Sequence, residues 1–235
     1  MHERDRLTTN GVHLAFYNPF SFRHIKRSLH RTHRKIILID SQIAYTGGAG
    51  FTDEFAPAKI PEDYWHDVMV RITGSCVFDW LALFSENWSR WSKIELTNVD
   101  TASTLKTTKS GNCKGRVVAN RSLSHSEIRR SLIRHIRSAK KHIWIATPYF
   151  VPSRKMRRLL IKSVKKNIDT RLLLPGPITD HAGSRHMARR YYHKLLKAGV
   201  GIYEYQHRFM HAKVFFVDDW VSVGSSNMDK WGLIW

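Results

Sequence analysis

Short apolar runs along this chain alternate with stretches in which apolar residues recur every three or four positions. The first clear run is Ile36, Ile37, Leu38 and Ile39, which belongs to a strand predicted over 34–39 and ends at Asp40-Ser41, a turn-forming pair. Gln42 to Thr46 continues as a second strand, so the pattern predicts a hairpin. Gly47-Gly48-Ala49-Gly50 then opens a loop. Between Asp67 and Ile72, Val68, Val70 and Ile72 alternate with Met69 and Arg71, which predicts a further strand. From Val77 to Trp91 the apolar positions are 77, 80, 81, 84 and 88, the spacing of an amphipathic helix that packs its tryptophans as core. Val12 to Phe16 is a candidate short strand, and residues 1–10 are polar and carry no period. Residues 95–112 are rich in Thr, Ser and Asn and read as a linker.

The second half repeats the alternation more regularly. Ile128, Leu132, Ile133 and Ile136 share one face of a helix predicted over 127–139, with Ser124 and Glu127 as a capping box. His142 to Phe150 is a buried strand whose end Pro148 marks. Met156, Leu159, Leu160 and Val164 define a helix, and Arg171 to Leu174 a strand closed by Pro175-Gly176. Ser184 to Ala198 reads as one basic helix terminated by Gly199. Gly201 to Tyr205 is a strand, and one more follows it. Helices and strands in this order predict an α/β layered fold. The divisions expected are 1–94, a linker 95–114, and 115–235.

That last predicted strand carries His211-Ala212-Lys213 and Asp218, followed by Gly224-Ser225-Ser226-Asn227. The first run carries His33-Arg34-Lys35 and Asp40, followed by Gly47-Gly48. The two histidines are 178 residues apart, and the glycine turns begin 14 and 13 residues after them. One such His-x-Lys pattern means little. Two, each with an Asp and a small-residue turn at nearly equal distance, indicate an internal repeat. On a strand, residues two apart share a face, so each His and Lys is expected to point the same way. Only 32 residues precede His33, whereas 96 separate Gly115 from His211. The first copy is therefore expected to lack its opening helix–strand units, and the chain to be a short or truncated representative.

Charge narrows the partners. Lys and Arg number 39 and Asp and Glu 19, a formal charge of +20, while 42% of residues are hydrophobic. A chain this basic and this apolar is a globular protein suited to polyanions, either nucleic acid or an anionic bilayer. Ser21 to Arg34 concentrates seven Lys, Arg and His residues besides His33, as a basic loop over a phosphate or as a solvated face. Cys76 and Cys113 form no C-x-x-C pair and indicate neither a zinc ribbon nor a disulfide framework. His207 and His211 are four apart, but on a loop entering a strand that spacing does not make a metal pair. No apolar run approaches the roughly 20 residues of a membrane-spanning helix, so membrane contact is expected to be peripheral.

The repeated residues suit phosphodiester chemistry without a metal or cofactor. A neutral imidazole attacks phosphorus, and a second imidazolium protonates the leaving oxygen. Lys35 and Lys213 offer fixed charge to the anionic phosphorane oxygens. Asp40 and Asp218 are candidates for orienting an imidazole through its second N–H. Gly47 and Gly48 let backbone N–H groups approach an anion, and Ser225 and Asn227 offer further hydrogen bonds.

The paired motifs resemble those of the phospholipase D superfamily. Thr147-Pro148-Tyr149-Phe150-Val151-Pro152, Leu173-Leu174-Pro175-Gly176 with Thr179-Asp180-His181, Tyr203-Glu204-Tyr205-Gln206 and Gly224-Ser225-Ser226-Asn227 resemble its cardiolipin synthases. The resemblance spans about residues 10 to 235. It implies two α/β/α units packed face to face, the first incomplete here. It further implies that one histidine forms a phosphohistidine while the other acts as acid and then base, with His33 as nucleophile and His211 as acid/base, or the reverse. The implied reaction moves a phosphatidyl group onto the headgroup hydroxyl of phosphatidylglycerol. The implied setting is the cytoplasmic face of the cell membrane, bound peripherally to anionic phospholipid. A nuclease of the superfamily and an inactive remnant that only binds anionic surfaces are the alternatives. One departure stands out: Gly50 occupies the position where the family usually has Asn in Gly-Gly-x-Asn.

Overall fold

The structure is a computed structural model that describes residues 3–19, 33–56, 64–96, 113–119 and 127–228. The basic stretch before His33, most of the linker and Ser124 lie outside the described residues. The chain forms two compact units, residues 1–44 with 71–117, and residues 45–70 with 118–235. The α/β class is as expected.

The first unit opens with a helix, α1 (Glu3–Thr9), that the polar sequence did not announce. Glu3 and Asp5 sit in its first turn, where carboxylates complement the positive end of the helix dipole, and Arg6 pairs with Glu3 at 3.3 Å. Residues 12–16, expected as a strand, have no regular structure. Val12 and Phe16 remain 42% and 57% exposed, so the apolar pattern there buries little.

The predicted hairpin forms as β1 (Ile36–Ile39) and β2 (Ile43–Gly47). Its turn holds Asp40 and Ser41 at φ 51° and 54°, and Gln42 N–H donates to the Ile39 carbonyl at 3.0 Å. Two left-handed central residues are the type I′ arrangement, whose twist matches that of paired strands. With β3 (Met69–Thr73) the sheet order is β1-β2-β3. Gly74, at φ 86°, turns the chain into α2 (Cys76–Trp91). Val77 and Leu83 are its buried residues, while Phe84, expected inside, is 37% exposed. The buried stripe is therefore rotated from the one the spacing suggested. Trp80, Trp88 and Trp91 are only partly buried, and Trp88 ties the helix end down by donating to the Ile94 carbonyl.

The second unit is built on a five-stranded sheet of order β6-β5-β4-β7-β8. Its elements are α3 (Glu127–Ser138), β4 (His142–Ala146), α4 (Arg154–Val164), β5 (Asp169–Pro175), α5 (Ala182–Arg189), α6 (Tyr192–Lys197), β6 (Gly201–Tyr205), β7 (Val214–Val217) and β8 (Trp220–Val223). β4, β5 and β6 run parallel, while β7 is antiparallel to both β4 and β8. Alternate residues Ile143, Ile145, Leu172, Leu174, Phe215 and Val217 form one core with Leu132 and Ile136 of α3 and Met156 and Leu160 of α4. Side chains of the other parity, Val214, Ala146 and Leu173, join a smaller cluster with Met210, Ala212 and Val68. That second cluster places segment 64–70 beside the start of β7.

Three boundaries differ from expectation. β4 stops at Ala146 rather than Phe150: Thr147 N–H still donates to the Leu173 carbonyl, but Pro148 has no N–H to continue the ladder. The helix expected over 184–198 is two helices, broken at Arg190-Tyr191. Arg185 of α5 and Tyr192 of α6 both bond the Glu204 carboxylate, at 3.1 and 3.3 Å. On one straight helix those residues would stand about 10 Å apart along the axis. Burial beside Glu204 pushes the Tyr192 hydroxyl up to about 12. Strand β8 was not anticipated.

Asp218 sits in the β7–β8 turn at φ 51°. Its carboxylate accepts N–H bonds from Lys140, Lys141 and His142 at 2.8, 2.8 and 3.0 Å, fastening the entrance of β4 to the turn. Partial burial pushes its carboxyl up, but the three donors together outweigh this and hold it below the usual range. Among the described residues no helix is long and apolar enough to cross a membrane. Asp218→Asn should cost about 1 kcal/mol in urea unfolding at neutral pH, the low end for charge-assisted bonds because the turn faces solvent. A lowered carboxyl stabilises the fold above its unfolded pKa and loses that contribution as pH falls through the folded value. The gap between wild type and Asp218→Asn should therefore close below about pH 4.

Candidate active site

The second motif copy is held by a segment that lies outside both motifs. His66 forms a parallel bridge with Met210. Its N–H donates to the Phe209 carbonyl at 2.8 Å, and its own carbonyl accepts from His211 N–H at 2.7 Å. This backbone clamp sets Asp67 beside His211. The Asp67 carboxylate takes the His211 Nδ1 contact through Oδ2 at 2.7 Å and Val68 N–H through Oδ1 at 2.7 Å. Side-chain exposure is 2% for Asp67, 3% for Lys213 and 13% for His211, so water contributes little to holding these charges.

Lys213 lies 2.8 Å from the same His211 Nδ1 and 3.8 Å from Asp67 Oδ2, and it also donates to the His211 carbonyl. One ring nitrogen cannot both donate to Asp67 and accept from Lys213. Asp67 is an acceptor and Lys213 a donor, and each has a second partner in the other. The shorter contact and the buried carboxylate favour Nδ1–H donating to Asp67, with Lys213 directed to the carbonyl and the carboxylate. In that tautomer the ring's lone pair is on Nε2, the form needed for attack or for proton transfer.

Aromatic rings enclose the imidazole. Trp65, Phe55, Phe209 and Tyr149 have ring centroids 5.1, 5.6, 5.7 and 6.3 Å from that of His211. Tyr149 donates to the Asp180 carboxylate, joining the loops that follow β4 and β5. Behind the clamp, His66 stacks on Tyr205 with centroids 5.1 Å apart, and the Arg208 guanidinium lies 3.4 Å from His66 Nδ1 and 4.1 Å from the Tyr64 ring centroid. Burial first and the Arg208 charge second push the His66 imidazole below its ordinary pKa, against the opposing pull of Asp67.

The first motif copy has the same local fold in the first unit. Lys35 Nζ donates to the His33 carbonyl at 3.2 Å, as Lys213 does to His211. His33 is exposed and Lys35 partly buried. Asp40 and Asp218 both stand at φ 51° after a four-residue strand. Both copies differ from expectation in one respect. The strands begin at Ile36 and Val214, so each His and Lys precedes its strand, and the lysine reaches its histidine by folding back on the carbonyl.

Residues 132–234 match the family described as "Cardiolipin synthase, PLD-like domain". The chain is 33% identical to cardiolipin synthase 1 of Bacillus cereus over 93% of its own length and 45% of that protein. It is also 33% identical to minor cardiolipin synthase ClsB of Bacillus subtilis, over 94% of its length and 54% of that protein. Over residues 132–234 the chain carries the phospholipase D-like domain of cardiolipin synthases, and along nearly its whole length it is similar to proteins of that name. It spans about half the length of the curated relatives it matches. The crystal structure of a phosphatidylserine synthase from Haemophilus influenzae shares the fold, at TM-score 0.53 and 15% identity over 80% of this chain and 52% of that one.

The residues singled out from the sequence divide. His211 and Lys213 are brought together, and His33 and Lys35 likewise. Asp218, expected to orient His211, instead bonds the backbone of 140–142, and Asp67 contacts the imidazole in its place. Asp40 occupies the equivalent exposed turn. Gly48, expected to offer its N–H to an anion, donates it to the Val68 carbonyl at 3.3 Å. A Cβ on Gly48 would collide with the Asp67 carboxylate, and one on Gly47 with the Val68 carbonyl. Gly48 thus makes room for the Asp67 carboxylate, and Gly47 for the Val68–Met69 backbone. Asn227 Oδ1 is buried with no hydrogen-bond partner among the described residues, and Ser225 is partly buried nearby in sequence. The sequence reading missed Asp67, Trp65 and His66. Their only signal was a Tyr-Trp-His-Asp cluster ahead of an apolar strand, which no spacing ties to His211.

Asp67→Asn keeps the shape but leaves Lys213 without its buried counter-charge, and should cost about 3–5 kcal/mol in denaturant unfolding. Adding Lys213→Met should recover part of that loss. His66 should give acid sensitivity of a second kind. Its folded pKa is lowered, so below about pH 6.5 the unfolded chain binds the proton first and stability falls with pH. His66→Gln should flatten thermal stability between pH 5 and 7.

Proposed function

We propose that the chain transfers a phosphatidyl group from one phospholipid to the headgroup hydroxyl of phosphatidylglycerol, forming cardiolipin. The observation that carries this reading is His211 fixed through Nδ1 against a buried carboxylate, with the Lys213 ammonium beside it. Similarity to proteins named cardiolipin synthases supports a lipid phosphodiester as the substrate of that chemistry.

With His33 as nucleophile, its nitrogen attacks the donor's phosphorus and the bond to the headgroup alcohol breaks. The leaving oxygen takes a proton from the His211 imidazolium, which Asp67 stabilises. In the second step His211 removes the proton of the incoming hydroxyl, that oxygen bonds phosphorus, and the phosphorus–nitrogen bond breaks. Exchange of the two histidines' roles leaves the scheme balanced. Lys35 and Lys213 offset the charge developing on the non-bridging oxygens. Ser225 and Asn227 donate hydrogen bonds to those oxygens. Water in place of the hydroxyl gives hydrolysis. No metal or cofactor enters either step. The +20 charge holds the protein peripherally on an anionic bilayer at the cytoplasmic face, each cation near the surface contributing about 1 kcal/mol.

Purified protein incubated with phosphatidylglycerol vesicles should form cardiolipin, and His33→Ala and His211→Ala should each abolish it. Cardiolipin formed at the wild-type rate by either variant contradicts the scheme. Cleavage of single-stranded DNA without lipid turnover assigns the site to a nuclease.

A further inference from the structure

Charge is distributed unevenly in this chain. Residues 127–166 contain 13 Lys and Arg and one carboxylate, Glu127, so this segment carries most of the +20 excess. It forms α3, β4 and α4. A cleft of about 480 Å³ in the second unit is lined by Arg130, Ile133, Arg134, Arg137 and Ser138 of α3 and Lys155 of α4. Arg130, Arg134 and Arg137 follow at intervals of four and three, one face of a helix. The opposite face buries Leu132 and Ile136 in the core, and Ile133, 9% exposed, floors the cleft.

Two features are unfavourable for these helices alone. The three guanidiniums repel one another along α3, and among the described residues none of them or Lys155 has a salt bridge to a carboxylate. Arg129 and Arg130 lie in the first turn of α3, and Arg154 and Lys155 in that of α4, which has no acidic residue. Cations there oppose the helix dipole, whose positive end favours anions. An anion in the cleft relieves both. The planar forks of three arginines suit the oxygens of a phosphate group, and the apolar floor suits what it esterifies.

We infer that the α3–α4 cleft is a second phosphate-binding site, separate from the His211 site, taking either the headgroup phosphate of an anionic lipid or a phosphate free in solution. Its test reads binding rather than turnover, so its failure leaves the proposed reaction untouched.

The full chain is compared with Arg130→Gln/Arg134→Gln/Arg137→Gln, with Lys155→Gln on the other helix, and with Arg190→Gln/Lys194→Gln/Lys197→Gln. The last removes three cations from exposed positions outside the cleft. Circular dichroism confirms each fold. In one arm, affinity for phosphatidylglycerol–phosphatidylcholine vesicles is measured by co-sedimentation. In the other, inorganic phosphate is titrated and arginine Nε–H signals are followed by NMR. A loss in vesicle affinity about tenfold greater for the triple cleft variant than for the equally charged control, with a smaller loss for Lys155→Gln, assigns the cleft to a lipid headgroup. Saturable phosphate binding that only the cleft variants lose, with vesicle affinity unchanged, assigns it to a free phosphate. Cleft and control variants that behave alike in both arms overturn the inference.

Discussion

Asp67 is a carboxylate almost out of reach of water, and the start of β7 is arranged around keeping it there. A buried carboxylate is costly unless its oxygens are bonded and its charge is met. Here Val68 N–H takes one oxygen, His211 the other, and the Lys213 ammonium stands within ion-pair distance. Gly48 has no side chain in the space the carboxylate fills, and the His66 backbone clamp sets its position beside residues 209–211, ahead of β7. What this expense secures is a single orientation for one imidazole. A surface carboxylate would bond the ring only part of the time and would be screened by salt.

The two motif copies show which of their residues do local structural work. In each, the lysine folds back onto the carbonyl of the histidine two residues earlier, and the aspartate supplies a left-handed turn residue after a short strand. Asp tolerates that conformation better than most residues, which accounts for its place in the pattern without any contact to the histidine. Asp218 adds a long-range role by pinning the entrance of β4. Orientation of His211 passes to a residue 144 positions away in the chain.

That separation also explains what could be read from one sequence. The sheet of the second unit was legible because β4, β5 and β7 are continuous apolar runs, and α3 and α4 because their buried faces repeat at helical spacing. His211 and Lys213 were legible as a pair because they are two apart and recur. Asp67 was not, since nothing local distinguishes it from any polar residue ahead of a strand, and its partner is set by tertiary pairing of 64–67 with 209–211. The break between α5 and α6 was hidden for a related reason. No Gly or Pro marks it, and what holds it is a carboxylate on a different element, Glu204. α1 escaped notice because it buries no residue and so shows no apolar period.

The claim that Asp67 fixes His211 turns on which atom of the ring carries the proton, because Lys213 contends for the same nitrogen. Side-chain ¹⁵N NMR of His211 at neutral to mildly basic pH reads this directly. A neutral ring protonated on Nδ1, shifting its tautomer balance in Asp67→Asn, is the result this structure predicts. A ring protonated on Nε2, with Nδ1 accepting from Lys213 and no response to Asp67→Asn, would contradict it.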